Sequence, residues 1–387
     1  MIDRIRNRLA TALDAQGAPR AIRTHNSVAL GSSLGLVRKR NEDCCLVVHG
    51  SYSKTPLGDF TAAIVCDGLG GMSQGREAAV LAASSFAAHL YCSATLSWDE
   101  RLSRAITYAN HEVYHRLHGN GGTTLSAVIV PANSDAVLCH VGDSRIYALS
   151  PERILEQLSR DDTMNALLNK REGQPDVPKD SRLLQFVGMG DEMEPQITPV
   201  SRHAKSILLT SDGAHDVPNS VLQRLVSAAA GGNDLVRKLL VLSDMLGGRD
   251  NASAILLPLS GDADRSPMSV ENELLAILPG ETLSICIAAS ETFERSGRLD
   301  RRPMPESPAP QPNPRETASP TPPTEEGAAQ SEPAQPASKE KARPRKSKQR
   351  RSQAKADSVA RLPLDEPQPE VDIQFSSPPT TEEQGKE

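Results

Sequence analysis

From about Ser27 to Leu259, short apolar and β-branched runs alternate with Gly, Asp and Ser punctuation, the pattern of a strand-rich domain. Four runs stand out: residues 60–66 (FTAAIVC), 124–130 (TLSAVIV), 136–141 (AVLCHV) and 206–210 (SILLT). Helical patterns separate them. Residues 76–90 are rich in Ala and Leu without Pro, and residues 98–118 place Leu102, Ala105, Ile106, Ala109 and Val113 on one face. Further helices are expected at 221–230 and at 234–246, where Leu235, Leu239, Leu242 and Leu246 recur at helical spacing. The polar stretch 161–182, with Gly173, Pro175 and Pro178, reads as a surface flap. Residues 271–287 read as a helix and a strand whose attachment to the domain is left open.

The pattern stops near residue 300. Of 29 prolines, 17 lie between Pro303 and Pro379, where the only aromatic is Phe375, so apolar surface there cannot offset the entropy of ordering. The expected organisation is an N-terminal extension over 1–24, a folded domain over 25–260, an extension of undecided packing over 261–299, and a disordered Pro-rich tail over 300–387. Within the tail, residues 339–351 carry eight basic residues against one acid, a charge run whose ordinary form is a solvated segment.

Charge and cysteine content narrow the class. A net charge of −6 argues against a globally basic nucleic-acid binder. Six cysteines show no metal-type pairing, and several sit in apolar runs, which suits reduced, buried thiols in a cytoplasmic protein. Asp3, Arg4, Arg6 and Arg8 interrupt the start where a secretory signal needs an apolar core. The apolar stretch from Leu274 is broken by Pro279, Gly280 and Glu281, short of the ~20 residues a spanning helix requires. A soluble monomer with no firm nucleic-acid or membrane partner is the expectation.

Three apolar runs end on an aspartate beside glycine: Asp67-Gly68, Gly142-Asp143 and Asp212-Gly213. Asp-Gly is also a common hairpin turn. Two further acid groups sit at strand entrances, Asn41-Glu42-Asp43 and Arg249-Asp250-Asn251, where charge opposes burial and needs compensation. Carboxylates gathered without His or Cys suit hard divalent cations, Mg²⁺ or Mn²⁺. Two such ions would clamp a phosphoryl group and activate water, so hydrolysis would need no covalent protein nucleophile. His111, His115 and His118 fall at zinc-like helical spacing, but no acid or cysteine motif supports a site there.

Together these segments resemble the bacterial type 2C, or PPM, metal-dependent Ser/Thr protein phosphatases. The resemblance rests on GLVRKRNED (35–43), VCDGLGG (65–71), GGTTLSAVIV (121–130), HVGDSRIYAL (140–149), LLTSDGAHD (208–216) and RDNASAILL (249–257), in the family's order. It implies an α/β fold, a four-layer αββα sandwich of two mostly antiparallel sheets flanked by helices. It also implies two Mn²⁺ or Mg²⁺ ions and a weak third. Asp67 matches the bridging ligand, the Gly68 carbonyl and Glu42 complete one ion, and Asp212 with Asp250 serve the other. Asp143, with Asp212, matches the third-ion site. Asp43 matches the acid that orients water, and Arg38 the arginine that grips substrate phosphate as a fork.

Some relatives have a histidine just after the bridging Asp-Gly, bacterial ones often lack it, and here Leu69 stands in its place, which leaves the proton donor unassigned with metal-bound water as the default. Ser253 stands where threonine is common, and Asp162 where histidine is common. The implied activity is hydrolysis of phosphoserine and phosphothreonine on proteins, opposing a bacterial Ser/Thr kinase. Alternatives are a catalytically silent binding module acting through its tail, a regulator of an anti-sigma-antagonist-type protein, and a nuclease or phosphodiesterase.

Overall fold

In the computed structural model, residues 1–53, 58–169, 182–259 and 272–287 are described. The strands are β1 (Arg20–His25), β2 (Val28–Ser33), β3 (Cys44–Ser51), β4 (Phe60–Cys66), β5 (Leu125–Pro131), β6 (Val137–Val141), β7 (Arg145–Leu149), β8 (Leu155–Gln157), β9 (Gln196–Pro199), β10 (Ser206–Thr210), β11 (Ala252–Pro258), β12 (Asn272–Ile277) and β13 (Thr282–Ile287). The helices are α1 (Ile2–Asp14), α2 (Gly75–Cys92), α3 (Trp98–Leu117), α4 (Met164–Asn169), α5 (Asp212–His215), α6 (Asn219–Ala228) and α7 (Gly232–Met245).

Two sheets form, in the orders β1-β2-β11-β10-β7-β8 and β13-β12-β3-β4-β5-β6-β9. The paired strands run antiparallel throughout. Side-chain alternation sorts the core into three slabs. On β3, Cys45 and Val47 point into the slab between the sheets, with Leu30, Val65, Ile207 and Ile255. Their neighbours Cys44, Leu46 and Val48 point outward into a slab shared with α1, α2 and α3. On the opposite sheet, Tyr147, Leu208, Ala254 and Leu256 pack beneath Leu222, Val226, Leu235 and Leu239 of α6 and α7. This is the expected four-layer sandwich.

Helix α1 lies in the stretch set apart by sequence as an extension, yet it buries Ile5, Leu9 and Leu13 in the outer core. Ile2, Ile5, Leu9 and Leu13 recur at helical spacing and give it a core face between the charges of Asp3, Arg4, Arg6 and Arg8. Residues 271–287 hold no helix in their described part: β12 pairs with both β3 and β13, and its burial alternates with period two. Only the first part of the flap, including α4, is described. The basic cluster at 339–351 and the rest of the tail lie outside the described residues. Among the described residues, no helix is long and apolar enough to cross a membrane.

Candidate active site

The sheets bring the acids together at one end of the sandwich. Asp67 follows β4 directly. Its backbone N–H donates to Thr124 Oγ1 at 3.0 Å, and its carbonyl accepts from the Thr124 N–H and from Thr123 Oγ1, both at 2.8 Å. Asp212 opens α5 immediately beyond β10, and Asp250 stands two residues before β11. Asp143 follows Gly142, whose φ of +110° lets the chain turn against Thr124. Glu42 and Asp43 enter β3 from the opposite sheet.

Gly68 is needed for space rather than for its dihedral angles. A Cβ there would meet the carbonyl oxygens of Gly75 and Glu42, so the start of α2 packs directly under the Asp67-Gly68 turn.

Cross-links fix the loops. Asn251, buried, accepts the Glu42 N–H on Oδ1 at 2.8 Å and donates through Nδ2 to the carbonyls of Leu34 and Arg40. Ser211 Oγ donates to Asp43 Oδ2 at 2.7 Å and accepts from the Ser253 N–H at 2.9 Å. Ser253 Oγ donates to Ser32, so serine, standing where threonine is common, retains a hydroxyl link. Asp162 Oδ2 accepts the Gly142 N–H at 3.0 Å, tying the flap's first residues to the Asp143 turn. Arg145 forks onto Asp161 beside it, with contacts of 2.7 to 3.1 Å.

The acids repel one another in a half-dry mouth. Burial lifts Asp67 well above the ordinary carboxylate range, and Asp43, Asp212 and Asp143 push it further. Asp43 and Asp143 are each raised to about 7, chiefly by burial and then by neighbouring carboxylates, against opposing hydroxyl bonds at Asp43. Burial also raises Glu42, and it raises Asp212 with help from Asp250. Arg38 lies over Gly70, with Nη2 donating to Asp250 Oδ2 at 2.7 Å and Nη1 3.6 Å from Glu42 Oε2.

Among the described residues, no three His, Cys, Asp or Glu side chains converge as tightly as ligands around a bound ion. The donor set nevertheless fits hard cations. It consists of oxygens alone, burial and then neighbouring acids raise the proton affinities of Asp43, Asp67, Asp143 and Asp212, and Asp43 Oδ1 is buried without a hydrogen-bond partner. An ion would relieve that repulsion. The His111–His115–His118 series does not form such a place: His111 and His115 meet edge to face at 6.0 Å, His111 faces Asp191, and His118 is the left-handed cap ending α3.

All eight residues singled out by sequence therefore border one mouth. Sequence reading passed over Asn251, Ser211, Thr124 and Arg76. Asn251 and Ser211 each adjoin a proposed acid, which was the available signal. Thr124 and Arg76 act through backbone partners distant in sequence.

The two-sheet fold and its acid-lined mouth suit phosphoryl chemistry, and comparison with known proteins points the same way. No protein-family model matches the chain. It is 28% identical over 239 residues to the Serine/threonine phosphatase stp of Listeria innocua, covering 58% of this chain and 92% of that protein. The solved serine/threonine phosphatase PstP/Ppp of Mycobacterium tuberculosis superposes with a TM-score of 0.51 at 27% identity, over 62% of this chain and all of that one. The PPM Ser-Thr phosphatase MsPP of Mycobacterium smegmatis shares the fold, with a TM-score of 0.51 at 24% identity over 60% of this chain and 98% of that one. In sequence and in fold the chain is similar to the bacterial PPM Ser/Thr phosphatases.

Proposed function

We propose that the chain removes phosphate from phosphoserine and phosphothreonine in proteins, using two divalent cations, Mn²⁺ or Mg²⁺, held by these acids. Asp67, Glu42 and the Gly68 carbonyl would hold one ion, and Asp67 with Asp212 and Asp250 the other. Asp143, together with Asp212, offers a weaker third position. The ions supply Lewis acidity to the phosphoryl group and an activated water. Asp43, held in place by Ser211, would orient such a water. Arg38 swings its guanidinium from Asp250 to the substrate phosphate, which its planar fork matches. Leu69 excludes a protein acid from the position after Gly68, so solvent protonates the leaving alkoxide.

One observation carries this reading: acids from five separate strand ends meet in a half-buried mouth with Arg38 as the cation paired to them among the described contacts. A fold that concentrates uncompensated carboxylates in this way loses stability unless cations occupy them. Every acid of the matched set is retained, which disfavours a silent binding module. The phosphorylated proteins it acts on arise where ATP-dependent kinases work, so we read the enzyme as a cytoplasmic monomer opposing a Ser/Thr kinase. Release of phosphate from a phosphothreonine peptide, with Mn²⁺ and then with chelator, tests the reading. Mn²⁺-dependent release supports it, and equal release in chelator overturns the metal mechanism.

A further inference from the structure

Arg76 occupies the first turn of α2, where a cation opposes the helix's own dipole. Its side chain is nearly fully buried and turns away from that helix. Nη1 donates to the backbone carbonyl of Asp43 at 2.6 Å and contacts Cys44 Sγ at 3.0 Å. Nη2 donates to the carbonyl of Leu13 in the last turn of α1. That turn carries no basic residue of its own, so Arg76 supplies from a second helix the cation that α1 lacks. Asp14 adds a looser ion pair to Nε at 3.8 Å.

A cavity of about 30 Å³ is lined by Leu13, Asn41, Asp43 and Arg76. The residue before Arg76, Gly75, abuts both the Gly68 backbone and Glu42 Oε1.

We propose that Arg76 is a positioning residue for the active site, and that through it α1 forms part of the catalytic unit. The planar fork holds two carbonyls from different elements, one at the end of α1 and one at Asp43, and so fixes the entry of β3 relative to the Gly68 turn. This rests on the roles given above to Glu42 and Asp43. Small displacements of a water-orienting acid are costly to turnover, whereas substrate gripped by Arg38 at the outer face is little affected.

The test uses the full chain carrying Arg76→Lys and Arg76→Gln, with Mn²⁺ as the probe. Lysine keeps the charge without the fork and loses kcat several-fold; glutamine loses about tenfold. KM for a phosphothreonine peptide stays within about twofold, and calorimetry without substrate shows weakened Mn²⁺ binding. Leu9→Ala, which loosens α1, lowers kcat in the wild-type background but adds little to Arg76→Gln. Folded Arg76→Lys protein with wild-type kcat and Mn²⁺ affinity overturns the proposal, and it decides the matter alone if the glutamine variant does not fold. Losses from Leu9→Ala and Arg76→Gln that multiply would show that α1 contributes stability only, and would overturn the coupling. Wild-type protein that neither binds Mn²⁺ nor releases phosphate would instead remove the function on which this inference stands.

Discussion

Asp67, beyond the end of β4, and Asp212, beyond the end of β10, leave different sheets, yet the charge of Asp212 helps burial hold Asp67 above the ordinary carboxylate range. Two carboxylates that repel one another in this way favour a proton or a cation between them.

Replacing Asp67 with asparagine separates the two possibilities. An amide donates to Asp212 without charge, so Asp67→Asn raises the melting temperature of chelated protein. The same change removes the carboxylate that two ions would share, and kcat falls by about a hundredfold or more. Scanning fluorimetry in EDTA and phosphopeptide turnover in Mn²⁺ check the two halves. Turnover above a tenth of wild type would refute the bridging role.

The raised carboxyls also fix the sign of a pH effect. Asp43 and Asp143 titrate near 7 in the folded chain against about 4 unfolded, so between these values the native state binds more protons. Metal-free stability from these groups is present at low pH and is lost as pH rises through about 7. Buried His49 and His89, lowered to about 4, work in the opposite direction below about 6.5, with and without metal alike. The difference in melting temperature between Mn²⁺-loaded and chelated protein therefore isolates the acids, and it grows as pH rises from about 5 to about 7.5. A flat difference over that range would show that the acids do not exchange protons for metal.

The strands and central helices were legible because their apolar periodicity is strong: the reading of 206–210 matches β10, and that of 98–118 matches α3 within one residue. The acids were legible because Asp-Gly at a run's end is unusual when repeated three times. Helix α1 also carries its signal, with Ile2, Ile5, Leu9 and Leu13 at helical spacing, but where that face docks depends on α2 and α3, far along the chain. The β12–β13 hairpin was misread in part because a short apolar run fits either period until β3 offers it an edge. The cross-links through Asn251 and Thr124 are contacts between sheet ends, which no local pattern encodes.

Crowding gives a second test of the turn. The Cβ of Gly68→Ala would strike the carbonyls of Gly75 and Glu42, both backbone atoms that yield only if α2 or the Glu42 loop shifts. Gly71→Ala, four residues from Asp67 and with open space around its Cβ position, serves as the control. Gly68→Ala is expected to destabilise by about 1–3 kcal/mol and to weaken Mn²⁺ binding, while Gly71→Ala leaves both near wild type. Thermal unfolding and calorimetry distinguish them, and equal behaviour of the two variants would show that the α2 start does not brace the turn.

Arg38 distinguishes gripping the phosphate from organising the acids. In the structure its guanidinium is half-exposed and engages Asp250 and Glu42, two of the proposed ligands, so it has cationic work in either case. If it grips phosphate equally in ground and transition states, Arg38→Ala raises KM by about tenfold, near 1.4 kcal/mol, with a smaller loss in kcat. Removing it also frees Asp250 and Glu42 from a competing cation, so Mn²⁺ binding is at least as tight as in wild type. Arg38→Lys recovers little, because an ammonium cannot present two parallel donors to a phosphate. Steady-state kinetics at saturating Mn²⁺ and calorimetry without substrate give the two readouts. A tenfold loss of Mn²⁺ affinity would assign Arg38 to holding the acids in register, and equal losses in kcat and kcat/KM at fixed KM would place its action in the transition state.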